Sequence, residues 1–372
     1  MKKVGIMSMQ RIANYGSFLQ AYALKQLIEE QGAEVEFVDY HVGSPVIKDR
    51  EDTSNKLIRK IKKGIETFQY RASLSHKISF IRYKQSFAKK YMPLLGINEK
   101  MNYNPELDCL VIGSDEVFNC IQKNVNVGYS PELFGKDNRA RNVITYAASF
   151  GNTTLEKLRK YDKANEVGKL LEKLDAISVR DANSGRIVTE LTGRKVVYNL
   201  DPVLTYDYMN CCDKIPNIAP NEKYLILYAY SGRITKGEAS WIKQYAKSKG
   251  LKVYAIGGIQ SCADKFVSCS PFEVLAYFKH AEEVITDTFH GSIFSIITQR
   301  KFAAIIRKSV GDSYGNEEKL GDLLKRLSLS NRITTEISKV SNINNNSIDY
   351  DNIKDVLNKH REAAKEYLRE NI

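Results

Sequence analysis

The residues with the clearest potential for chemistry lie in the segment from Val284 to Ser292, where His290 stands among polar and small residues. The apolar start of this segment predicts a buried strand, and Gly291-Ser292 opens a helical pattern. Backbone N–H groups at a helix start favour anions, and open α/β sheets hold their ligands at the carboxyl ends of strands. Two interpretations of His290 remain open at this point: it acts on an anionic ligand, or it only caps the turn.

A second turn of this kind lies near the start of the chain. An apolar run at residues 3–7 predicts a strand, and apolar residues at helical spacing follow Asn14-Tyr15-Gly16-Ser17. Ser17 is a candidate N-cap of this helix, and Gly16 would let the backbone approach a ligand closely. The segment contains neither GxxxxGK(S/T) nor GxGxxG, so it predicts no Walker loop and no dinucleotide fingerprint. A capped first helix without a ligand explains the pattern equally well.

The elements that would position these turns are strands and helices in alternation. Continuous apolar runs suit parallel strands covered on both faces, and their alternation with helical patterns implies βαβ units, so the predicted fold class is α/β. The predicted strands are Val4–Met7, Val35–Val38, Cys109–Ile112, Val143–Ala147, Ala176–Val179, Lys195–Tyr198, Tyr224–Ala229, Lys252–Ile256, Glu283–Thr286 and Phe302–Ile306.

The length of 372 residues predicts two domains, because single cores rarely grow to that size. A turn-rich stretch from Asp207 to Glu222 marks the boundary, which gives domains at residues 1–206 and 207–345. A polar linker is predicted at Ser341–Ser347. A final helix in residues 346–372 carries an apolar stripe that must be buried against another element.

Composition narrows the class of protein. The six cysteines form no CxxC pair, so no metal site is predicted, and the pattern suits a reducing cytosol. No signal-peptide pattern is visible and no segment approaches the length of a membrane span. We therefore expect a cytoplasmic protein.

The positive charge is concentrated in one segment. Residues 48–90 contain 13 Lys or Arg against 4 Asp or Glu, within a formal net charge of +12 for the chain. Apolar residues at Leu57, Ile61, Ile65 and Phe68 recur at helical spacing, which predicts a basic amphipathic helix. Such a helix either lies on an anionic membrane surface or packs its apolar stripe on the domain. Nucleic acid ranks third, since no nucleic-acid module accompanies the charge, and we expect none to bind.

Five segments of the chain, in this order, carry a resemblance to the polysaccharide pyruvyl transferase family. They are Asn14–Leu24, which is similar to the family's opening motif; Gly113–Asn119, similar to "GSDQxWN"; Ser178–Asp181, similar to "SVR"; Asp201–Leu204, similar to "DPV"; and Thr286–Gly291, similar to "TDSFHG".

The resemblance implies two Rossmann-like domains that face each other across a cleft, as in GT-B glycosyltransferases, with the C-terminal helix returning to the N-terminal domain. The N-terminal domain would bind the acceptor and the C-terminal domain the donor. The implied reaction transfers pyruvate from phosphoenolpyruvate, with no further cofactor, to hydroxyls of a sugar, and forms a ketal on a cell-surface polysaccharide precursor. A lipid-linked oligosaccharide is the expected acceptor, which places the enzyme in the cytoplasm and, through the basic segment, at the inner membrane face. The alternatives are a nucleotide-sugar glycosyltransferase of the same fold and a non-catalytic carbohydrate- or membrane-binding scaffold.

The resemblance also suggests roles for single residues. Arg180 would bind a carboxylate or phosphate of the donor through its guanidinium, unless it only forms a salt bridge with Asp181 or another acid. His290 would bind phosphate or protonate the vinyl carbon, and Asp115 would take the proton of the sugar hydroxyl, unless it only caps a following helix. The expected catalytic residues are Asp115 and His290. The expected substrate-binding residues are Asn14, Tyr15, Gly16, Ser17, Ser114, Arg180, Thr288, Gly291 and Ser292.

One position departs from part of the family. Some pyruvyl transferases carry an arginine two residues before the motif histidine, as in "DRLHG", and here that residue is Thr288. A donor-binding cation is therefore missing from the motif. Arg307, Lys308 and Arg11 are the predicted substitutes.

Overall fold

Apolar runs in the first two hundred residues form six strands of one parallel layer. The computed structural model describes residues 1–47, 66–122, 125–218, 220–308 and 315–372. A four-stranded sheet has the order β2-β1-β3-β4, and β5 and β6 pair beside it. Parallel bridges from Ile144 to Ala176 and from Ala148 to Val179 join the two parts. These strands are β1 Lys3–Met7, β2 Glu34–Phe37, β3 Glu106–Gly113, β4 Arg139–Tyr146, β5 Ser178–Val179 and β6 Val197–Tyr198.

A second parallel sheet follows in the next part of the chain. Its six strands have the order β12-β11-β10-β7-β8-β9. They are β7 Tyr224–Tyr228, β8 Lys252–Ile256, β9 Lys265–Phe266, β10 Glu283–Thr286, β11 Lys301–Ile305 and β12 Ile333–Thr334. The predicted boundary at residue 207 falls between the last strand of the first sheet and the first strand of the second.

Helices connect the strands and cover both faces of each sheet, as the continuous apolar runs require. They are α1 Tyr15–Glu29, α2 Leu74–Tyr91, α3 Leu155–Lys160, α4 Ala164–Leu171, α5 Ala182–Thr192, α6 Pro202–Thr205, α7 Tyr208–Cys211, α8 Lys236–Ser248, α9 Pro271–His280, α10 Phe289–Ile297, α11 Glu317–Arg326, α12 Val340–Asn345 and α13 Tyr350–Asn371.

The last helix, α13, spans the two domains. At its start, the Tyr350 hydroxyl donates to the Arg300 carbonyl of the second domain at 2.5 Å. Toward its end, the Tyr367 hydroxyl donates to the Thr145 carbonyl of the first sheet at 2.8 Å. Its apolar stripe, with Leu357 and Leu368, is buried. The predicted fold class is thus confirmed: two Rossmann-like domains face each other, and the C-terminal helix returns to the first.

All ten predicted strands are present, and two further strands of two residues each, β9 and β12, were not predicted. The predicted linker at Ser341–Ser347 is partly wrong. The short helix α12 occupies Val340–Asn345, since Val340 is buried and the Asn344 amide donates to Glu283 Oε2 at 2.9 Å. Most of the basic amphipathic helix predicted from Leu57 to Phe68 lies outside the described residues; of its predicted length only the end is described, and residues 66–69 are helical. Within the described residues, no helix is long and apolar enough to cross a membrane.

Candidate functional site

The turn after β1 ties the start of α1 to the loop after β3. Asn14 is the N-cap of α1, because its side chain accepts from the Ser17 N–H at 2.7 Å, so the prediction of Ser17 as the cap is wrong. Ser17 Oγ instead donates to Asp115 Oδ2 at 2.9 Å. Tyr15 is fully buried, and its hydroxyl donates across the domain boundary to the Cys269 carbonyl at 3.1 Å.

The loop after β3 holds Asp115 by its own backbone and by Ser17. Asp115 has φ of 77°, a conformation that is uncommon for a residue with a side chain, and strained backbone of this kind clusters at functional sites. Its Oδ1 accepts from the Glu116 N–H at 2.9 Å. Ser114 is buried and donates to the Ala147 carbonyl at 3.0 Å. No helix begins at this point of the described chain, so Asp115 does not act as a helix cap.

Arg180, at the carboxyl end of β5, is paired inside the protein. Its Nη1 donates to Asp201 Oδ2 at 2.9 Å, and the guanidinium carbon lies 4.4 Å from the centre of the Phe289 ring. Burial disfavours the charged form, but Asp201 and Asp115 outweigh it and raise the pKa of Arg180. Its Nε has no hydrogen-bond partner among the described residues, and is therefore a donor still to be satisfied.

The turn after β10 is capped by Thr288, whose Oγ1 accepts from the Gly291 N–H at 2.9 Å. His290 therefore does not cap the turn. Ser292 is fully buried and lies one turn into α10, where its hydroxyl donates to the Thr288 carbonyl at 3.4 Å. A β-carbon on Gly291 would stand 2.1 Å from Thr286 Oγ1, so the turn is too tight for another residue.

His290 projects from this turn toward the first domain. Its side chain is 14% exposed, and its Nε2 lies 3.7 Å from Asp201 Oδ2. Burial lowers the pKa of His290, although the Asp201 and Asp115 carboxylates offset part of that effect. The imidazole is therefore held mainly neutral near pH 7. In the described part of the chain, Nε2 has no hydrogen-bond partner.

Contacts between the domains bring these turns into one cluster. A β-carbon on Gly16 would lie 2.3 Å from His290 Nδ1, so the start of α1 touches the imidazole. Lys319, on α11 of the second domain, pairs with Glu116 Oε1 at 2.7 Å. Burial opposes ionisation of Glu116, but this ammonium lowers the pKa of Glu116 to about 2. We refer to Ser17, Asp115, Glu116, Arg180, Asp201, His290 and Lys319 as the interdomain cluster.

The three cations predicted to replace the missing arginine are engaged elsewhere or exposed. Arg11 pairs with both oxygens of Asp39, at 2.5 and 2.7 Å. Arg307 donates to both oxygens of Glu238, at 2.6 and 3.2 Å, and its Nε lies 3.7 Å from the buried Asp287. Lys308 is exposed.

A cleft of about 1180 Å³ lies between the domains, and none of the seven members of the interdomain cluster lines it. One wall is the loop after β1, from Ser8 to Ala13, and the opposite wall includes Tyr230 and Gly257 of the second domain. Ser8 links the cleft wall to the loop that carries Asp115, because its Oγ donates to the carbonyl of the preceding residue, Ser114, at 2.9 Å. Among the described residues, no group of three or more His, Cys, Asp or Glu side chains could hold a metal ion.

Three members of the cluster were not predicted as site residues. Asp201 and Glu116 lie inside segments that had been recognised, so their positions were available from the sequence. Lys319 carried no signal, because it is one of several charged residues in an amphipathic helix, and its neighbour Glu116 is 203 residues away.

The family model described as polysaccharide pyruvyl transferase matches residues 14–309 of this chain. The match includes every member of the interdomain cluster except Lys319. No curated protein shows significant similarity to the chain.

Among solved structures, the chain is similar to a Staphylococcus aureus MnaA structure with UDP, with 11% identity, a TM-score of 0.49 and coverage of 98% of this chain and 88% of that chain. It is similar to the UDP-GlcNAc 2-epimerase from Neisseria meningitidis bound to UDP-GlcNAc, with 10% identity, a TM-score of 0.45 and coverage of 98% and 94%. A glycotransferase of kitacinnamycin gives 9% identity, a TM-score of 0.48 and coverage of 100% and 99%.

Proposed function

Because this chain belongs to the polysaccharide pyruvyl transferase family, we propose that it transfers pyruvate from phosphoenolpyruvate to hydroxyl groups of a sugar and closes a cyclic ketal. The observation that carries this proposal is the meeting of segments from both domains in the interdomain cluster. Asp115, Arg180 and His290 follow three different strands of two sheets, yet Ser17, Gly16 and Asp201 connect them by contacts of hydrogen-bond or van der Waals range.

The donor carries a phosphate and a carboxylate, so its site needs fixed donors of hydrogen bonds. Arg180 offers the unpaired Nε of a guanidinium that Asp201 and Phe289 hold in place. Since Asp201 and Phe289 already hold the guanidinium in one position, the Arg180 side chain loses little entropy when an oxygen of the donor binds. The donor lies beside Arg180 and His290, within reach of the unpaired Nε of Arg180. The space directly between the two side chains holds Asp201 Oδ2, which is 2.9 Å from Arg180 and 3.7 Å from His290 Nε2.

Proton transfer then follows from the charges of the cluster. An anionic donor beside His290 raises the pKa of the imidazole, which converts it to an imidazolium that can protonate the vinyl carbon. Asp115 accepts the proton of the first sugar hydroxyl as its oxygen bonds to the central carbon of the donor. Phosphate leaves with the electrons of its C–O bond, and the second hydroxyl closes the ketal as its proton passes to phosphate. The products are the ketal and inorganic phosphate.

The sugar acceptor occupies the cleft beside the cluster. Its volume of about 1180 Å³ exceeds that of a typical small-molecule pocket and suits more than one sugar unit. Aromatic side chains of Tyr40, Tyr70, Phe80 and Tyr230 line it, and such rings can pack against the faces of sugars.

The acceptor is lipid-linked, and the protein works at the cytoplasmic face of the membrane. The support in the described residues is a group of exposed apolar side chains next to basic ones. Phe68, Leu74 and Ile78 are 51%, 63% and 39% exposed, and Lys77 lies beside the Phe68 ring. Exposed apolar residues flanked by positive charge are typical of surfaces that contact anionic lipid.

The test is a direct assay with separate donors. The protein is incubated with phosphoenolpyruvate and a panel of sugars and short lipid-linked oligosaccharides, and we expect phosphate release together with an acceptor that gains pyruvate less one water. UDP-GlcNAc serves as the competing donor. Transfer from the nucleotide sugar without any response to phosphoenolpyruvate would overturn the proposal.

A further inference from the structure

One face of α11 in the second domain is turned toward the first domain. Lys319 pairs with Glu116, and Arg326 donates to the Arg180 carbonyl at 2.9 Å. Burial raises the pKa of Asp322, which lies between them on the helix, and the backbone of Ala182 offsets part of that effect. The spacing of three and four residues places all three side chains on one side of the helix. This face therefore closes over the segment that carries Arg180.

While Lys319 is paired with Glu116, the cluster carries more negative than positive charge, which disfavours binding of the anionic donor. Asp115, Glu116 and Asp201 supply three carboxylates, whereas Arg180 and Lys319 are the two permanent cations and His290 is mainly neutral. A donor with a carboxylate and a phosphate brings a charge of about −2.5 to −3. Arg180 already shares its charge with Asp201, so a second cation that turns from its carboxylate to the donor, beside the imidazolium that His290 forms there, makes the complex more favourable.

We infer that Lys319 is a donor-binding residue, which exchanges its ion pair with Glu116 for an oxygen of the donor. This inference rests on the proposed function. The ammonium is on the flexible stem of a lysine that is 14% exposed, so it can reorient without a backbone movement. Its charge and that of Arg180 both act to lower the pKa of His290, so the two cations lie within electrostatic range of the imidazole.

Glu116 is held in place independently of Lys319. Its Oε2 accepts from Asn119 Nδ2 at 2.9 Å, and Gly151 leaves room for the carboxylate, since a β-carbon there would stand 2.4 Å from Oε2. When Lys319 turns to the donor, Glu116 stays at the edge of the site. In the free enzyme it acts as an internal anion that competes with the donor for the same ammonium.

A second role for the pair would be purely structural, as a latch between the domains. The two roles predict opposite effects of Glu116→Gln. If the pair is a latch, removal of either partner weakens domain closure, and both Glu116→Gln and Lys319→Gln weaken donor binding. If Lys319 binds the donor, Glu116→Gln removes the competitor and strengthens donor binding, while Lys319→Gln weakens it.

The experiment measures phosphoenolpyruvate binding by calorimetric titration and by the ligand-induced rise in Tm, using the full chain. Lys319→Gln should weaken binding by roughly tenfold to a hundredfold, the effect of losing one charged hydrogen bond. Lys319→Arg should retain most of the affinity, and Glu116→Gln should tighten binding by about threefold or more. Lys325→Gln, on the exposed side of the same helix, is the matched control and should bind as the wild type does.

The outcomes separate this inference from the proposed function. If the wild type binds phosphoenolpyruvate and Lys319→Gln binds it equally well, or Glu116→Gln binds it more weakly, the inference is overturned and the function stands. A wild type that does not bind phosphoenolpyruvate overturns the proposed donor, and the inference with it. Should Lys319→Gln not fold, the phosphoenolpyruvate affinities of Glu116→Gln and Lys319→Arg still distinguish the two roles.

Discussion

Gly16 and His290 lie in different domains, yet a β-carbon at position 16 would stand 2.3 Å from Nδ1 of the imidazole. Atoms that are not bonded do not approach so closely. Glycine is therefore needed at position 16 because the His290 imidazole occupies the space of a side chain, and not because of the backbone conformation there. The first turn of α1 thereby fixes where the imidazole can stand. Position 16 is closed to every other residue as long as the two domains meet in this way.

Gly16→Ala should therefore lower turnover strongly while leaving the chain folded. Alanine favours a helix over glycine by about 0.5–1 kcal/mol, which offsets part of the cost of moving His290. Phosphate release from phosphoenolpyruvate is the assay, and the imidazole resonances in NMR report the displacement. Gly237→Ala in α8 is the matched control, because nothing lies within 4 Å of its added β-carbon. Full activity with an unmoved imidazole in Gly16→Ala would contradict the assigned contact.

Asp115→Asn should leave donor binding nearly intact and lower kcat by about 100-fold or more, because a base that acts on the acceptor contributes in the transition state. Asparagine tolerates a positive φ, so the backbone conformation is retained. Asp137→Asn provides a control at an exposed position that also has a positive φ, of 56°. If the Asp115 variant keeps the wild-type rate, another group is the base.

Arg180 is expected to serve both stability and donor binding, and a double variant separates the two. Arg180→Met leaves Asp201 buried without its cation, which should cost about 3–5 kcal/mol in free energy of unfolding. Adding Asp201→Asn removes the uncompensated charge and should restore much of that loss. Donor affinity should stay low in both variants. Chemical denaturation and titration with phosphoenolpyruvate are the measurements, and recovery of donor affinity in the double variant would refute the binding role.

The lowered pKa of His290 has a direct consequence for stability. A histidine normally titrates near 6.5, and the folded protein binds this proton less readily than the unfolded chain does. The free energy of unfolding should then fall as the pH drops below about 6.5 and through the lower pKa of the folded state.

His290→Gln should make that fall shallower, as measured by denaturation at a series of pH values between about 5 and 8. Burial lowers the pKa of His76 and His360 as well, so part of the fall will remain. His280→Gln is the control, at an exposed position. An unchanged pH profile in His290→Gln would show that its burial does not disfavour the charged form.

Membrane contact is tested with vesicles. Phe68→Ser with Leu74→Ser removes two exposed apolar side chains and should reduce sedimentation with anionic vesicles, without lowering activity on a short soluble acceptor. The attraction should weaken at high salt, because the screening length is about 8 Å at physiological ionic strength. A wild type that stays in solution with anionic vesicles at low salt would rule out the membrane surface.

The sequence predicted the strands and the turns of the site because those depend on local pattern. Continuous apolar runs marked the parallel strands, and Asp115, Arg180 and His290 were recognisable as polar residues at strand ends. The N-cap of α1 was assigned to the wrong residue, because Asn14 and Ser17 both have side chains that can cap a helix. The structure separates them, since Asn14 accepts from the Ser17 N–H and the Ser17 hydroxyl donates to Asp115 instead. Lys319 could not be predicted, because its role depends on the approach of two domains and not on any local spacing.

The path of α13 bears on how the enzyme could open. The chain passes between the domains once in the stretch between β6 and β7, and α13 then binds both, through Tyr350 on one side and Tyr367 on the other. Any relative motion of the domains must therefore preserve both attachments, which restricts how far one domain can slide past the other.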